Sequence, residues 1–262
     1  MSTVPIVWLA SYPKCGNTWL RFMLYAYLYG PPRASIEVPR KIPDLHRPLP
    51  MDPPSGPFML AKTHFALTER HPNLAATSRA IHVIRNPKDA ALSALNYRRL
   101  ATGGEGLDEA GYLRAFIRHG GDPDWLRQGF GTWATHARSW RGTERFPVLA
   151  LRYEDVKADP GAALSAMLAF LGEPVDAARA GAALKASSFE AMRAMEIREK
   201  SKPARDARSE RLFVGDDRAT RRGIYFVNKG ASGQSLDTVA PGLDELLDRA
   251  FAADLAEFGY GS

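Results

Sequence analysis

The segment Trp8 to Trp19 reads WLASYPKCGNTW: an apolar run enters a turn carrying Lys14 and Gly16, and an aromatic helix begins behind it. Such a turn aims backbone N–H groups, the positive end of a helix dipole and one ammonium at a single point, which is how proteins hold a phosphate. The spacing is not that of a nucleoside-triphosphate loop. Lys14 precedes the lone Gly16, there is no second glycine, and no Lys-Thr pair opens the helix to hold magnesium. The loop therefore predicts phosphate binding and argues against an ordinary ATPase or GTPase. Cys15 sits beside Lys14 at the helix start, two influences that lower a thiol pKa. It is expected to be reactive, with oxidants or alkylating reagents slowing function by crowding the loop. Further along, Phe58-Met-Leu-Ala-Lys-Thr-His places Lys62 and His64 on one face of an extended chain, where both can meet one ligand. Arg85 ends another apolar run. It can serve an anion or pair with Asp89 on the following helical turn.

These side chains need strands that end in turns. Apolar runs over 6–10, 58–61, 80–84 and 148–151 are predicted strands, separated by helical patterns. Asn86-Pro87 reads as a helix cap followed by proline in the first turn, with the helix continuing to about Arg99. Thr102-Gly-Gly-Glu-Gly is a break, and helices are predicted near 109–119 and 131–141. Asp159-Pro160 opens another helix, closed by Gly172 and Pro174. Leu20, Met23, Leu24, Tyr27 and Leu28 form a stripe with helical spacing, assigned to the core, and Trp125, Trp133 and Trp140 are expected to pack helices. The proline-rich stretch 31–57 is expected to be an irregular surface excursion. Residues 196–222 carry mixed charge without a clean period, and they are expected to form a mobile lid. Alternating strands and helices predict one α/β domain over 1–262: a mostly parallel sheet flanked by helices, with functional groups beyond the carboxyl ends of the strands.

Composition narrows the partners. With 262 residues, 45% hydrophobic and 24% charged, the chain is long enough to bury a sizeable core and has the balance of a globular protein. No apolar run reaches the ~18–20 residues of a membrane span. A single cysteine precludes an intrachain disulfide and, with few other ligand clusters, argues against a structural zinc. With no export signal recognised, a cytoplasmic or other reducing compartment is expected. The net charge of +6 points to an anionic partner, and the scattering of the basic residues favours a discrete ligand over a nucleic acid.

Four strand-end signatures occur in order: Tyr12-Pro-Lys-Cys-Gly-Asn-Thr-Trp, Lys62-Thr-His, Arg85-Asn-Pro-Lys-Asp with Ser93 eight residues on, and Tyr153-Glu-Asp. The set resembles the sulfotransferases that use 3′-phosphoadenosine 5′-phosphosulfate (PAPS), over about residues 6–258. The stretch around the loop is most similar to the bacterial branch that sulfates glycopeptide antibiotics and related metabolites. The resemblance implies a P-loop-NTPase-like fold and PAPS as co-substrate, with no metal. It assigns Lys14, Cys15, Gly16, Asn17 and Thr18 to the loop around the 5′-phosphosulfate and Trp19 to the ring beside the adenine. Arg85 and Ser93 fall on the 3′-phosphate pair, Tyr153 on an adenine contact, and Ser187 and Phe189 on the segment completing that pocket. His64 falls on the general base, with Lys62 beside it. The C-terminal motif is only partly present. Lys229 and Gly230 match cofactor contacts, but Asn228 stands where an arginine is expected, leaving Arg221 and Arg222 as candidates for the missing charge.

Sulfuryl transfer to a hydroxyl is an in-line displacement that, by analogy with phosphoryl transfer, depends on positioning and charge stabilisation. Lys14, shared with Lys62, suits the charge growing on the leaving phosphate, and a neutral His64 suits the acceptor's proton. The acceptor implied is a small molecule, glycopeptide or glycolipid. Peripheral membrane contact through 198–222 and a homodimer stay open. A nucleotide kinase using ATP, or a non-catalytic binder of anionic nucleotides or nucleic acid, are the rival readings.

Overall fold

The computed structural model describes residues 4–46, 49, 51–54, 56–201 and 211–261. Its sheet has four parallel strands, β1 (Ile6–Ala10), β2 (Met59–Thr63), β3 (Thr77–Ile84) and β4 (Val148–Arg152), in the spatial order β2-β1-β3-β4. Strand β1 is buried along its whole length, because it lies between two neighbours and is covered on both faces, so an unbroken apolar run suits it. Trp8 is accommodated by two small neighbours, Ala61 on β2 and Ala80 on β3. From β1 the chain adds β2 on one side and β3 on the other. That reversal opens a crevice at the carboxyl ends of the strands.

Between β1 and β2 lie α1 (Asn17–Tyr29) and α2 (Glu37–Lys41). Between β3 and β4 lie α3 (Pro87–Thr102), α4 (Glu109–His119), α5 (Pro123–Arg127) and α6 (Trp133–Arg141). After β4 follow α7 (Tyr153–Ala158), α8 (Pro160–Leu171), α9 (Ala177–Ala186), α10 (Phe189–Lys200), α11 (Asp217–Arg221), α12 (Leu243–Ala250) and α13 (Ala252–Glu257). One core joins Val7, Leu9, Ile81 and Val83 of the sheet to the stripe Leu20, Met23, Leu24 and Tyr27 of α1 and to Leu164, Met167 and Leu168 of α8, with Leu28 packed against it. Ile6, Trp8 and Ala10 point the other way, toward Trp140, as the strand alternation requires. Trp125 and Trp133 pack in a further cluster with α3, α4 and the C-terminal helices.

Local signals place most boundaries. The Asn86 side chain accepts the Lys88 N–H at 2.9 Å with Pro87 in the first turn, a cap worth about 1 kcal/mol. Asp159 caps α8, and Gly172 ends it in the left-handed conformation. Helix α6 begins two residues later than its pattern suggests, because Thr132 and Thr135 form a capping box that starts the helix at Trp133. The mixed-charge stretch departs from the expected lid. Glu196 and Lys200 belong to the buried face of α10, where they pair with each other at 3.0 Å. Two charges that neutralise each other inside the protein look, in the sequence, like solvated surface. Removing one partner of such a pair costs about 3–5 kcal/mol. Residues 202–210, the middle of that stretch, lie outside the described residues. Among the described residues no helix is long and apolar enough to cross a membrane.

Candidate functional site

The crevice at the strand ends is a cavity of about 860 Å³. The turn after β1 supplies Lys14, Gly16, Asn17, Thr18 and Trp19; the end of β2 supplies Lys62 and His64; β3 and α3 supply Arg85 and Ser93. Tyr153 enters after β4, Ser187 and Phe189 at the start of α10, and Lys229 and Gly230 from the irregular segment beyond α11. All of these line the cavity. Cys15 does not.

The loop adopts a backbone that few residues accept. Lys14 is a non-glycine residue at φ 69°, in the left-handed region that costs a residue with a side chain about 1 kcal/mol or more. Gly16 has φ 100°, and a Cβ there would lie 2.6 Å from the Tyr153 ring, so only glycine fits. The Asn17 side chain donates to the Leu9 carbonyl at 2.9 Å, fastening the first turn of α1 to β1. Trp19 and Tyr153 meet edge to face, ring centroids 5.6 Å apart.

Electrostatics follow from this packing. The Lys14 ammonium lies 4.3 Å from the Phe226 ring centroid and 5.0 Å from that of Tyr97. Burial, with the positive charges of Arg85 and Lys62 nearby, lowers its pKa to about 7. Burial also dominates at Cys15. It pushes the thiol up to about 12 despite Arg85 and Lys14 nearby. The expected reactive thiol is thus corrected: Cys15 is 0% exposed and belongs to the buried cluster that includes Tyr12 and Ile84, on the core side of the turn. Alkylation of the native protein at pH 7–8 is expected to leave Cys15 unmodified and activity intact, with labelling only in denaturant. Mass spectrometry of the alkylated protein checks this, and rapid native labelling would show the burial to be wrong.

His64 has a defined tautomer. Its Nδ1 lies 2.7 Å from the Ser11 carbonyl oxygen, which can only accept, so Nδ1 carries the hydrogen and Nε2 keeps a lone pair. Burial, reinforced by Lys62 and His46, lowers its pKa well below the usual imidazole value, so it is neutral at pH 7. The His64 N–H donates to Nε2 of His46 at 2.6 Å, and the two rings stack 5.5 Å apart.

His46 and its neighbour Asp44 were not legible as site residues. Both come from the proline-rich excursion, which runs beside β2: the Lys62 N–H donates to Pro43 and the Leu45 N–H to Lys62. Asp44 thereby reaches the Lys62 ammonium at 2.6 Å. Burial would raise the Asp44 carboxyl, but Lys62 and Arg21 outweigh it and hold the group below the usual carboxylate range. The only available signal was an acidic residue and a histidine two positions apart among prolines.

Arg85 does not pair with Asp89. It donates to the carbonyls of Lys14 at 3.1 Å and Ala231 at 2.6 Å, while Asp89 accepts N–H groups of Gly233 and Gln234. The buried Arg85 Nε has no partner in the structure. Arg222 is spent on Glu105 and the Gly103 carbonyl, and neither it nor Arg221 lines the cavity. Two further cations do: Arg21 of α1, and Lys157, one helical turn beyond Tyr153 on α7.

A family model described as the sulfotransferase domain matches residues 5–259, and the chain belongs to the sulfotransferase family. It is 27% identical to Sulfotransferase 2A2 of Mus musculus over 192 residues, 71% of this chain and 60% of that protein. It is 24% identical to Sulfotransferase 2B1 of Homo sapiens over 265 residues, 94% of this chain and 64% of that protein. The chain therefore spans less than two thirds of the length of these two relatives. The fold is similar to that of a mouse sulfotransferase solved in complex with PAP (adenosine 3′,5′-bisphosphate), with TM-score 0.63 and 22% identity, covering 97% of this chain and 84% of that one.

Proposed function

We propose that the protein transfers the sulfuryl group of PAPS to a hydroxyl of a small acceptor, with His64 as general base. The observation that carries this is convergence. The ends of three adjacent strands bring Lys14, the neutral imidazole of His64 and the Arg85 guanidinium, with a buried Nε lacking an acceptor, to one cavity. The residues fit such a donor: cationic and N–H groups surround the loop, and Trp19, Tyr153 and Phe189 offer aromatic surface for a base.

Bound PAPS supplies an activated sulfur whose leaving group is a phosphate. Gly16, Asn17 and Thr18 hold that end of the donor through their main chain and the start of α1. Lys14 gives its charge to the oxygen from which the sulfur departs, helping most as the transition state forms. Arg85, Ser93, Lys229 and Gly230 hold the 3′-phosphate. His64 Nε2 takes the proton of the attacking hydroxyl. Lys62, fixed by Asp44, adds positive potential at Lys14 and His64. The cavity is also lined by Leu92, Tyr97, Trp125 and Phe130, apolar surface that suits an acceptor with an apolar body and one hydroxyl.

Calorimetric titration with adenosine 3′,5′-bisphosphate, adenosine 5′-phosphate and ATP tests the donor. Tighter binding of the bisphosphate than of the monophosphate, by about tenfold or more, is the expected result. Equal affinities, or magnesium-dependent turnover of ATP, would overturn the reading. Transfer of labelled sulfate from PAPS to compounds in a metabolite extract then identifies the acceptor.

A further inference from the structure

Residues 226–234 form a strap without regular secondary structure, and Phe226, Val227, Asn228, Lys229, Gly230 and Gln234 of the strap line the cavity. A strap of this kind has its main chain fixed by groups outside it. At its far end Asp89 accepts the N–H groups of Gly233 at 3.0 Å and Gln234 at 3.1 Å. In the middle Arg85 and Tyr153 donate to the carbonyls of Ala231 and Gly230. At its near end stands Glu196 of α10, whose two carboxylate oxygens accept the N–H groups of Phe226 at 2.7 Å and Val227 at 2.8 Å. Arg193, on the preceding turn of α10, donates to the carbonyls of Val227 and Asn228.

Glu196 is completely buried, and its charge is matched by Lys200, which also reaches the Val214 carbonyl and the Thr220 hydroxyl. The helix itself does not need a carboxylate there. Desolvating an ion pair is costly, and a well-packed apolar side chain commonly stabilises a fold as well or better. What an apolar residue cannot do is receive two main-chain N–H groups from a neighbouring segment. Those two N–H groups lie two and three residues before Lys229.

We propose that Glu196 is a positioning residue of the donor site, setting the main chain at 226–227 so that Lys229 and Gly230 face the donor's 3′-phosphate. This rests on the PAPS reading above. Glu196 would touch no ligand and would act through the strap alone. Its loss should therefore weaken recognition of the 3′-phosphate most, and reach the loop after β1 only through Phe226 beside Lys14.

Glu196→Gln alone would leave Lys200 buried and unpaired, so the variant of choice combines it with Lys200→Met. Wild-type and variant proteins are titrated with adenosine 3′,5′-bisphosphate and with adenosine 5′-phosphate. Affinity for the bisphosphate is expected to fall about tenfold and that for the monophosphate by no more than about twofold, the loss expected when charge-assisted contacts slip out of place. In turnover, the donor KM should rise by a larger factor than kcat at saturating donor falls. Glu196→Asp, which keeps the charge on a shorter arm, should shift the same ratio in the same direction and bears the test if the double variant does not fold. An unchanged ratio in a folded variant, even one melting at lower temperature, would make Glu196 structural only and overturn the proposal. Wild-type protein indifferent to the 3′-phosphate would instead overturn the donor reading itself, seen before any variant is measured.

Discussion

Replacing His64 by alanine is expected to lower turnover on an alcohol acceptor by about 10²–10⁴-fold, the range typical of a lost general base. Binding of adenosine 3′,5′-bisphosphate should change little, because the proposed role of the imidazole is toward the acceptor hydroxyl rather than the nucleotide. Two features of the site make the loss large. The Ser11 carbonyl takes the Nδ1 hydrogen, so the lone pair on Nε2 is present without a tautomeric cost. Burial among Lys62 and His46 keeps the ring unprotonated at neutral pH. The second feature has a consequence for the pH profile. An imidazole held well below its usual pKa stays a competent base as pH falls through 6.5, so no acid limb attributable to His64 should appear near that value. Single-turnover rates of wild-type and His64→Ala enzyme with saturating donor provide the measurement. Full activity in the variant would remove the proposed base.

Lys14→Ala is expected to lower turnover by about 10²–10³-fold, the cost of removing one preorganised donor from a developing negative charge. A subtler effect follows from its lowered pKa. In the free protein, burial and two neighbouring cations outweigh the attraction of the aromatic rings, so the ammonium loses its proton at about pH 7. The protonated form is the one that attracts phosphate. Below that pH the charge is already in place. Above it, the arriving anion must draw a proton onto Lys14, and affinity should weaken by up to about tenfold per pH unit while the complex stays protonated. Binding of the bisphosphate at pH 8 should therefore be accompanied by proton uptake, seen as an enthalpy that varies with the ionisation heat of the buffer. Lys14→Arg, which keeps its charge throughout this range, should abolish that dependence. Buffer-independent enthalpies for the wild-type protein at pH 8 would contradict the lowered pKa.

Much of the architecture was written in short-range pattern. The apolar run of β1, the Asn86-Pro87 start of α3 and the Asp159-to-Gly172 limits of α8 are set by burial period and by capping chemistry within a few residues. Functional groups in such folds follow strand ends, which drew attention to Lys14, Lys62, His64 and Arg85, while the family resemblance added Tyr153; all five line the cavity. Two kinds of information were not local. Cys15 and Lys14 are adjacent in sequence, yet the positive φ of Lys14 turns one side chain over the cavity and leaves the other in the core, reversing the expected chemistry of the thiol. Asp44 and His46 join Lys62 and His64 only because the excursion lies down along β2. Likewise Glu196 and Lys200 read as solvated charges until α10 buries them against the strap. The residue types and their order thus determined the strands and the turn after β1, through steric and hydrophobic preferences of neighbouring residues, while the ordered motifs pointed to the class of chemistry by resemblance. Tertiary packing decided which charges are buried, which partners they meet and hence their protonation, since desolvation and long-range pairing depend on segments far apart in the chain.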